Sequence, residues 1–171
     1  MTLAECILLL VTLQRVGELV VSHRNTAALR ACGGIEVASR HYPLIVATHA
    51  AWLLALWVLG YDQPVNLPAL GVYLLLQGLR FWVLYTLGPR WTTRIIVLPG
   101  EPLVVSGPYR YLSHPNYAVV AGEIALLPIA LHLPVLALVF TALNAALLWI
   151  RIRAEARALA VVRGQLARAA S

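Results

Sequence analysis

A polar, aromatic-rich stretch at residues 107–117 carries the side chains best suited to chemistry. It reads Gly-Pro-Tyr-Arg-Tyr-Leu-Ser-His-Pro-Asn-Tyr and leads directly into an apolar segment. Pro115 suits the first turn of a helix, so the helix cap falls on His114 or on the serine before it. Tyr109, His114 and Tyr117 would then surround a helix start, where free N–H groups favour a carboxylate. The alternative is an aromatic belt at a membrane surface.

A second pair of candidate residues lies near the C-terminus. Arg151 and Glu155 are four residues apart, so their side chains are neighbours on one face of a helix. Taken alone, the pair indicates an ordinary surface ion pair, which contributes little to stability.

Charged side chains also fall inside segments that are otherwise apolar. Ionisable groups within a membrane are unfavourable, so they usually pair with one another or serve a function. Arg15 and Glu18, three residues apart, either neutralise each other or line a head-group pocket together with His49. Glu123 is either the partner of Arg80 or a further carboxylate of that pocket.

The composition places these residues in a membrane protein. With 61% hydrophobic and 12% charged residues, the chain is far more apolar than a soluble domain. We predict one all-α integral membrane domain over residues 1–171, with about five transmembrane helices and a C-terminal amphipathic helical extension. The expected spans are residues 2–21, 43–60, 68–88, 116–131 and 134–150.

The distribution of basic residues predicts the orientation. All 13 are arginines, and they are concentrated at residues 22–42, at residues 89–115 and in the tail after residue 150. Five spans put these segments on one side, as the positive-inside rule requires, with the N-terminus outside and the C-terminus in the cytoplasm. Arginine without lysine, in a chain rich in Ala, Leu and Val, indicates a bacterial gene and hence the inner membrane. The net charge of +6 then reflects topology and anionic lipid, not nucleic acid.

The segment between the third and fourth spans has the pattern of a short lid. Residues 94–98 and 103–105 are apolar and partly β-branched, and the Pro-Gly-Glu-Pro between them is typical of a turn. We therefore predict a two-stranded cytoplasmic ribbon over the bundle. No metal-ligand spacing occurs, and Cys6 and Cys32 are expected too far apart to pair.

The two polar motifs together resemble the isoprenylcysteine carboxyl methyltransferase family of integral membrane methyltransferases. The family pattern is roughly Gly-x-Tyr-x-x-x-Arg-His-Pro-x-Tyr, then Arg-x-x-x-Glu-Glu; here Ser113 replaces an arginine and Ala156 the second glutamate. The resemblance implies S-adenosylmethionine as cofactor, S-adenosylhomocysteine as product, and a cofactor region at residues 91–117 and 151–159. It assigns Arg151 to the substrate. The cofactor-binding residues that it implies are Leu103, Val104, Tyr109, His114, Pro115, Tyr117 and Glu155.

The first two spans resemble, more loosely, a bacterial branch of that family. Its members include O-methyltransferases for alkylpyrones and other phenolic lipids, the long-chain products of type III polyketide synthases. The matching residues are Gln14, Arg15, Glu18, Asn25, Gly33, Gly34, Glu36, His41, Tyr42 and His49. The resemblance implies methylation of a hydroxyl or carboxyl group on a membrane-embedded lipid. We expect Arg151 to hold the acceptor oxyanion, and His49 or Glu18 to take a proton from a less acidic phenol.

Other functions fit some of the same residues. Within the methyltransferases, the alternatives are prenylcysteine-type carboxyl methylation and phospholipid N-methylation. From other classes, a small transporter could use the intramembrane charges as its pathway, although no internal repeat supports it, and a scaffold would leave the histidine motif unexplained. The expected partners are membrane lipids, the lipid-like acceptor and, by functional link, a type III polyketide synthase. Five small spans are also compatible with a homodimer.

Overall fold

A computed structural model describes residues 1–37 and 39–169 of the protein, without the side chains of residues 40, 158, 159 and 161–169. Five α-helices dominate the described residues and confirm the predicted all-α class. They are α1 (Leu3–Ala31), α2 (Tyr42–Gly60), α3 (Leu67–Leu87), α4 (Pro115–Ala130) and α5 (Pro134–Ala169). The amphipathic character predicted for the end of α5 depends on side chains that lie outside the described ones. The side chains of residues 158 and 159, which belong to the predicted cofactor region, also lie outside them.

Three of the helices have the length and composition of membrane spans. These are α2, α3 and α5, all long and strongly apolar. By contrast, α4 is apolar but has 16 residues, fewer than the roughly 20 that cross the hydrocarbon core. The 29-residue α1 carries polar side chains along its length. The integral membrane class is therefore borne out, with three clear spans, one short apolar helix (α4) and one long helix that carries polar side chains (α1).

The first helix continues well beyond the predicted end at residue 21. It ends at Ala31, and polar residues of its last turns are buried at helical spacing. Ser22 Oγ lies 2.7 Å from Thr93 Oγ1, and Thr26 Oγ1 lies 2.8 Å from Thr92 Oγ1. These contacts with a distant loop stabilise helix over residues 22–31. The arginines of this segment had instead suggested a connection between spans.

A two-stranded ribbon is present, but the predicted pairing of its strands is wrong. Strand β1 (Ile35–Val37) pairs antiparallel with β2 (Ile95–Val97), with Glu36 opposite Ile96. Residues 103–105, predicted as the partner of β2, form no strand. Such short ribbons are marginally stable on their own. The segment that pairs with β2 is therefore the one that other contacts hold in place, and β1 is held by α1.

Glu36 provides that anchor. Its carboxylate accepts hydrogen bonds from Arg94 at 2.5 Å and from Arg30 in the last turn of α1. Burial acts to raise the pKa of Glu36, but the hydrogen bonds from the two arginines outweigh it and hold the pKa below its ordinary value of 4.5.

Acidification should therefore loosen the ribbon. Because the pKa of Glu36 is lower in the folded protein, its stabilising contribution is present above the unfolded pKa and is lost as the pH falls below about 4.5. We expect amide hydrogen exchange at residues 35–37 and 95–97, corrected for intrinsic rates, to accelerate in this range. Glu36→Gln should show rapid exchange already at neutral pH. If exchange at these residues in the wild type did not accelerate at any pH below 4.5 at which the protein stays folded, the prediction would be wrong.

The tightly packed core lies at the end of the bundle opposite the ribbon. It joins the start of α1, the end of α2, the start of α3 and the end of α4. Its buried members are Ala4, Leu8, Val11, Trp52, Leu56, Tyr73, Ile124, Leu127 and Leu131. The half of the bundle beneath the ribbon is packed more openly, and both large cavities lie there.

Candidate functional site

The histidine motif forms a turn followed by a helix start, as predicted. Gly107 has φ +56°, and a Cβ there would lie 2.4 Å from Thr86 Oγ1, so the position requires glycine. Pro115 occupies the first turn of α4 and His114 is the N-cap residue. The His114 side chain makes no capping bond; its ring stacks on Tyr117 with centroids 5.2 Å apart.

Tyr117 links the two candidate residues of α5. Its hydroxyl donates to Glu155 at 2.7 Å and accepts from Arg151 Nε at 3.1 Å. Arg151 also donates to the carbonyl oxygen of Thr93 at 2.6 Å. Arg151 and Glu155 therefore do not form the simple ion pair that their spacing allowed, because the tyrosine hydroxyl stands between them.

A cavity of about 490 Å³ lies between the ribbon, the loop after it and the start of α4. We call it the ribbon cavity; its volume is in the usual range for small-molecule sites. Six of the seven residues predicted to bind cofactor line it. These are Leu103, Val104, Tyr109, His114, Tyr117 and Glu155. Pro115 is buried beneath the wall in the first turn of α4.

The ribbon cavity combines apolar walls with groups of both charges. Glu101 and Glu155 supply carboxylates, and Arg90, Arg94 and Arg151 supply guanidinium groups. Burial, and next the negative charge of Glu155, raise the pKa of Tyr109 to about 12, so its hydroxyl stays neutral and can donate a hydrogen bond. Arg90 also donates to the Pro102 carbonyl at 2.8 Å, which holds the loop after the ribbon in place.

A second cavity, of about 260 Å³, lies inside the bundle between α1, α2, α5 and the start of α4. We call it the bundle cavity. The three residues predicted to be catalytic, Glu18, His49 and Arg151, all line it. The two cavities share part of their walls. The residues common to both are Trp91, Asn116, Tyr117 and Arg151.

Buried charges on three helices form one network beside the bundle cavity. Arg80 donates to Glu18 through Nε and NH2, both at 2.5 Å, and to Glu123 at 2.6 Å. Arg15 lies 2.9 Å from each of the two carboxylates. Two arginines and two glutamates neutralise one another, so Glu123 is the partner of Arg80, and Arg15 and Glu18 both neutralise each other and line the cavity.

His49 lines the cavity with one ring nitrogen already engaged. Its Nδ1 lies 2.8 Å from the carbonyl oxygen of Ile45, one turn earlier in α2. Because a carbonyl can only accept, Nδ1 carries the hydrogen in the neutral ring, and Nε2 is the remaining acceptor.

Several wall residues were missed in the sequence. Trp91 and Asn116 lie beside or within the recognised motif, but their place between two cavities has no sequence signature. Asn144 did have a sequence signature, because it is a polar residue within the apolar fifth span. Among the described residues, no three His, Cys, Asp or Glu side chains are grouped to hold a metal ion.

Comparison with known proteins identifies a family that the chain matches and two similar proteins. The model of the isoprenylcysteine carboxyl methyltransferase (ICMT) family matches residues 69–161, which is more than half of the chain and includes both polar motifs. The uncharacterized protein YpbQ of Bacillus subtilis is 41% identical over 151 residues, covering 85% of this chain and 90% of the relative. An uncharacterized protein of Haemophilus influenzae is 29% identical over 108 residues, covering 60% of this chain and 63% of the relative.

No solved structure matches the chain. The family match covers most of α3, every residue that lines the ribbon cavity except Leu29, and the Arg151–Glu155 segment, whereas α1, α2 and β1 lie outside it. The protein therefore belongs to the isoprenylcysteine carboxyl methyltransferase family, a family of membrane methyltransferases.

Proposed function

We propose that the protein transfers a methyl group from S-adenosylmethionine to an acidic oxygen of a lipid-like acceptor in the membrane. The observation that carries the proposal is the meeting of two cavities at Tyr117 and Arg151. One cavity lies under the ribbon and the other lies among the helices, so a polar cofactor and an apolar acceptor can approach each other from different sides. S-adenosylmethionine, when bound, supplies a methyl group on a positively charged sulfur.

The residues of the ribbon cavity suit that cofactor. The Glu155 carboxylate can accept from ribose hydroxyls or pair with the ammonium group, and the neutral Tyr109 hydroxyl can donate to another polar atom. Leu103 and Val104 offer apolar contact. His114 marks the helix start, where the positive end of the helix dipole favours the cofactor carboxylate. This mixture of groups matches a ligand that has apolar, cationic and anionic parts.

The bundle cavity suits an acceptor whose reacting group is anionic. Arg151 is half-buried, and none of the ion pairs among the described residues includes it. A carboxylate or the oxyanion of an acidic hydroxyl would complete the pairing of its guanidinium. An amine at the same wall would meet like charge, which disfavours phospholipid N-methylation.

The chain's own residues contribute mainly by positioning. Tyr117 fixes Arg151 relative to Glu155, and so fixes the acceptor oxygen relative to the cofactor cavity. His49 Nε2 is the group that we propose takes a proton from a less acidic phenol. The oxygens of Glu18 are already engaged by Arg80 and Arg15, so we assign Glu18 to holding the cavity wall.

An alkylpyrone or a related phenolic polyketide lipid is the acceptor that we infer. Its hydroxyl is acidic enough to ionise, which suits Arg151, and its alkyl chain suits a cavity among membrane helices. A type III polyketide synthase would supply such a product. We place the ribbon side in the cytoplasm of a bacterial inner membrane, because the arginine-rich segments lie there and the cofactor is made there.

Binding of S-adenosylhomocysteine tests this proposal. The detergent-purified protein should bind it, and Glu155→Gln should weaken binding about tenfold or more, since hydrogen bonds to a charged group contribute about 1.5–3 kcal/mol. Glu5→Gln, at the far end of α1, is the control that should bind normally. The wild type should also transfer labelled methyl groups to a bacterial lipid extract. A folded wild-type protein that binds no S-adenosylhomocysteine would overturn the proposal.

A further inference from the structure

Asn144 is an unpaired polar side chain in the wall of the bundle cavity. It lies on α5 among apolar residues, and only 2% of its surface is exposed. It lines the cavity together with Leu147, Leu148 and Arg151. No hydrogen bond joins its side chain to another of the described residues, although the amide has two donors and an acceptor.

A buried amide without partners is unfavourable, and more so within an apolar bundle. A leucine has the same number of side-chain heavy atoms with the same branching, and it would match the apolar neighbours. The amide is therefore poorly explained by packing. It is well explained by a ligand in the cavity that supplies the missing hydrogen bonds.

The position of Asn144 relative to Arg151 describes that ligand. The two residues are seven apart on α5, which is two helical turns, about 10.5 Å along the axis and nearly the same face. Leu147 and Leu148 lie between them and also line the cavity. The wall thus has a polar group at each end of a short apolar strip, a pattern that matches a ring with substituents on both sides.

We infer that Asn144 binds a second oxygen of the acceptor while Arg151 holds the oxygen that is methylated, an inference that rests on the proposed function. The acceptor is then a ring with two oxygen substituents on different carbons, its flat apolar part against Leu147 and Leu148. An acceptor with a single polar group, the one that is methylated, would leave Asn144 without a hydrogen-bond partner. Asn144 is thus a specificity-determining residue.

A matched pair of acceptors tests the inference. An alkylresorcinol and the alkylphenol of the same chain length differ by one hydroxyl group. The wild-type protein, loaded with S-adenosylhomocysteine in detergent, should bind the resorcinol about tenfold or more tightly than the phenol, because a site built to hydrogen-bond a substrate rejects the analogue that lacks the group. Asn144→Leu should reduce the preference to about twofold or less by weakening the resorcinol alone.

Two further variants separate binding from structure. Thr141→Val also removes an unpaired buried hydroxyl from α5, but Thr141 is not part of the cavity wall, so this variant should keep the wild-type preference. Asn144→Ala should behave as Asn144→Leu does, if the leucine variant folds poorly. Both Asn144 variants should bind S-adenosylhomocysteine as the wild type does and unfold at a similar or higher temperature.

Several results would overturn the inference without touching the proposed function. They are equal binding of the two acceptors by the wild type, binding of neither, a preference that survives in Asn144→Leu, or a loss of stability that weakens both acceptors equally. Loss of S-adenosylhomocysteine binding by the wild type would instead refute the proposed function itself.

Discussion

Replacing Arg151 by alanine is expected to raise the acceptor KM tenfold or more and to lower kcat/KM about a hundredfold, with S-adenosylhomocysteine affinity nearly unchanged. Removing one partner of a buried, hydrogen-bonded charge pair typically costs about 2–5 kcal/mol, and each 1.4 kcal/mol is a factor of about ten. The guanidinium lies on the wall shared by the two cavities and donates to Tyr117 and Thr93. The acceptor oxygen would lose its counter-charge, while Glu155 would stay in place for the cofactor.

Two neighbouring substitutions sharpen that experiment. Arg153→Ala removes the same charge two residues later, but Arg153 is exposed and lies over the Trp149 ring at 3.9 Å, so the kinetics should be those of the wild type. Arg151→Lys keeps the charge but loses the planar guanidinium group. Its kcat/KM should therefore lie between those of the wild type and of Arg151→Ala. If Arg151→Ala instead lost S-adenosylhomocysteine affinity and kept a normal acceptor KM, the division of roles between Arg151 and Glu155 would be wrong.

Replacing Arg80 by methionine is expected to reduce the free energy of unfolding by about 3–5 kcal/mol. Arg80 is 3% exposed and donates to both Glu18 and Glu123. Its removal strands two buried carboxylates with Arg15 as their remaining cation, and breaking a buried pair from one side has costs of that size. The measurement is unfolding in detergent micelles, by heat or by denaturing detergent.

The same substitution at an exposed pair is the matched control. Arg90→Met breaks the ion pair of Arg90 with Glu101, which lies largely at the surface, and should cost less than about 1 kcal/mol. Removing Glu18 together with Arg80 leaves Arg15 paired with Glu123, so the double variant should be more stable than Arg80→Met alone. If the double variant lost as much stability as the two single variants together, lost packing and not unpaired charge would explain the effect of Arg80→Met.

Much of the helical framework was predictable because its causes are local. Apolar runs of about span length set α2, α3 and α5, and Pro115 set the start of α4 within one residue. The histidine motif was equally visible, since its residues are close together in the chain. The C-terminal end of α1 and the partner of β2 were predicted wrongly, because they depend on contacts that Ser22 and Glu36 make with residues more than fifty positions away.

Sequence alone was enough for the membrane class and the helices, because these follow from composition and from the length of the apolar runs. The family and the candidate cofactor residues came instead from the resemblance of two short motifs to a known pattern. Three arrangements became known from the folded chain: Glu123 pairs with Arg80 and Arg15, Tyr117 stands between Arg151 and Glu155, and the two cavities share one wall. These arrangements depend on how the helices rotate and pack against one another, and no spacing along the chain specifies that.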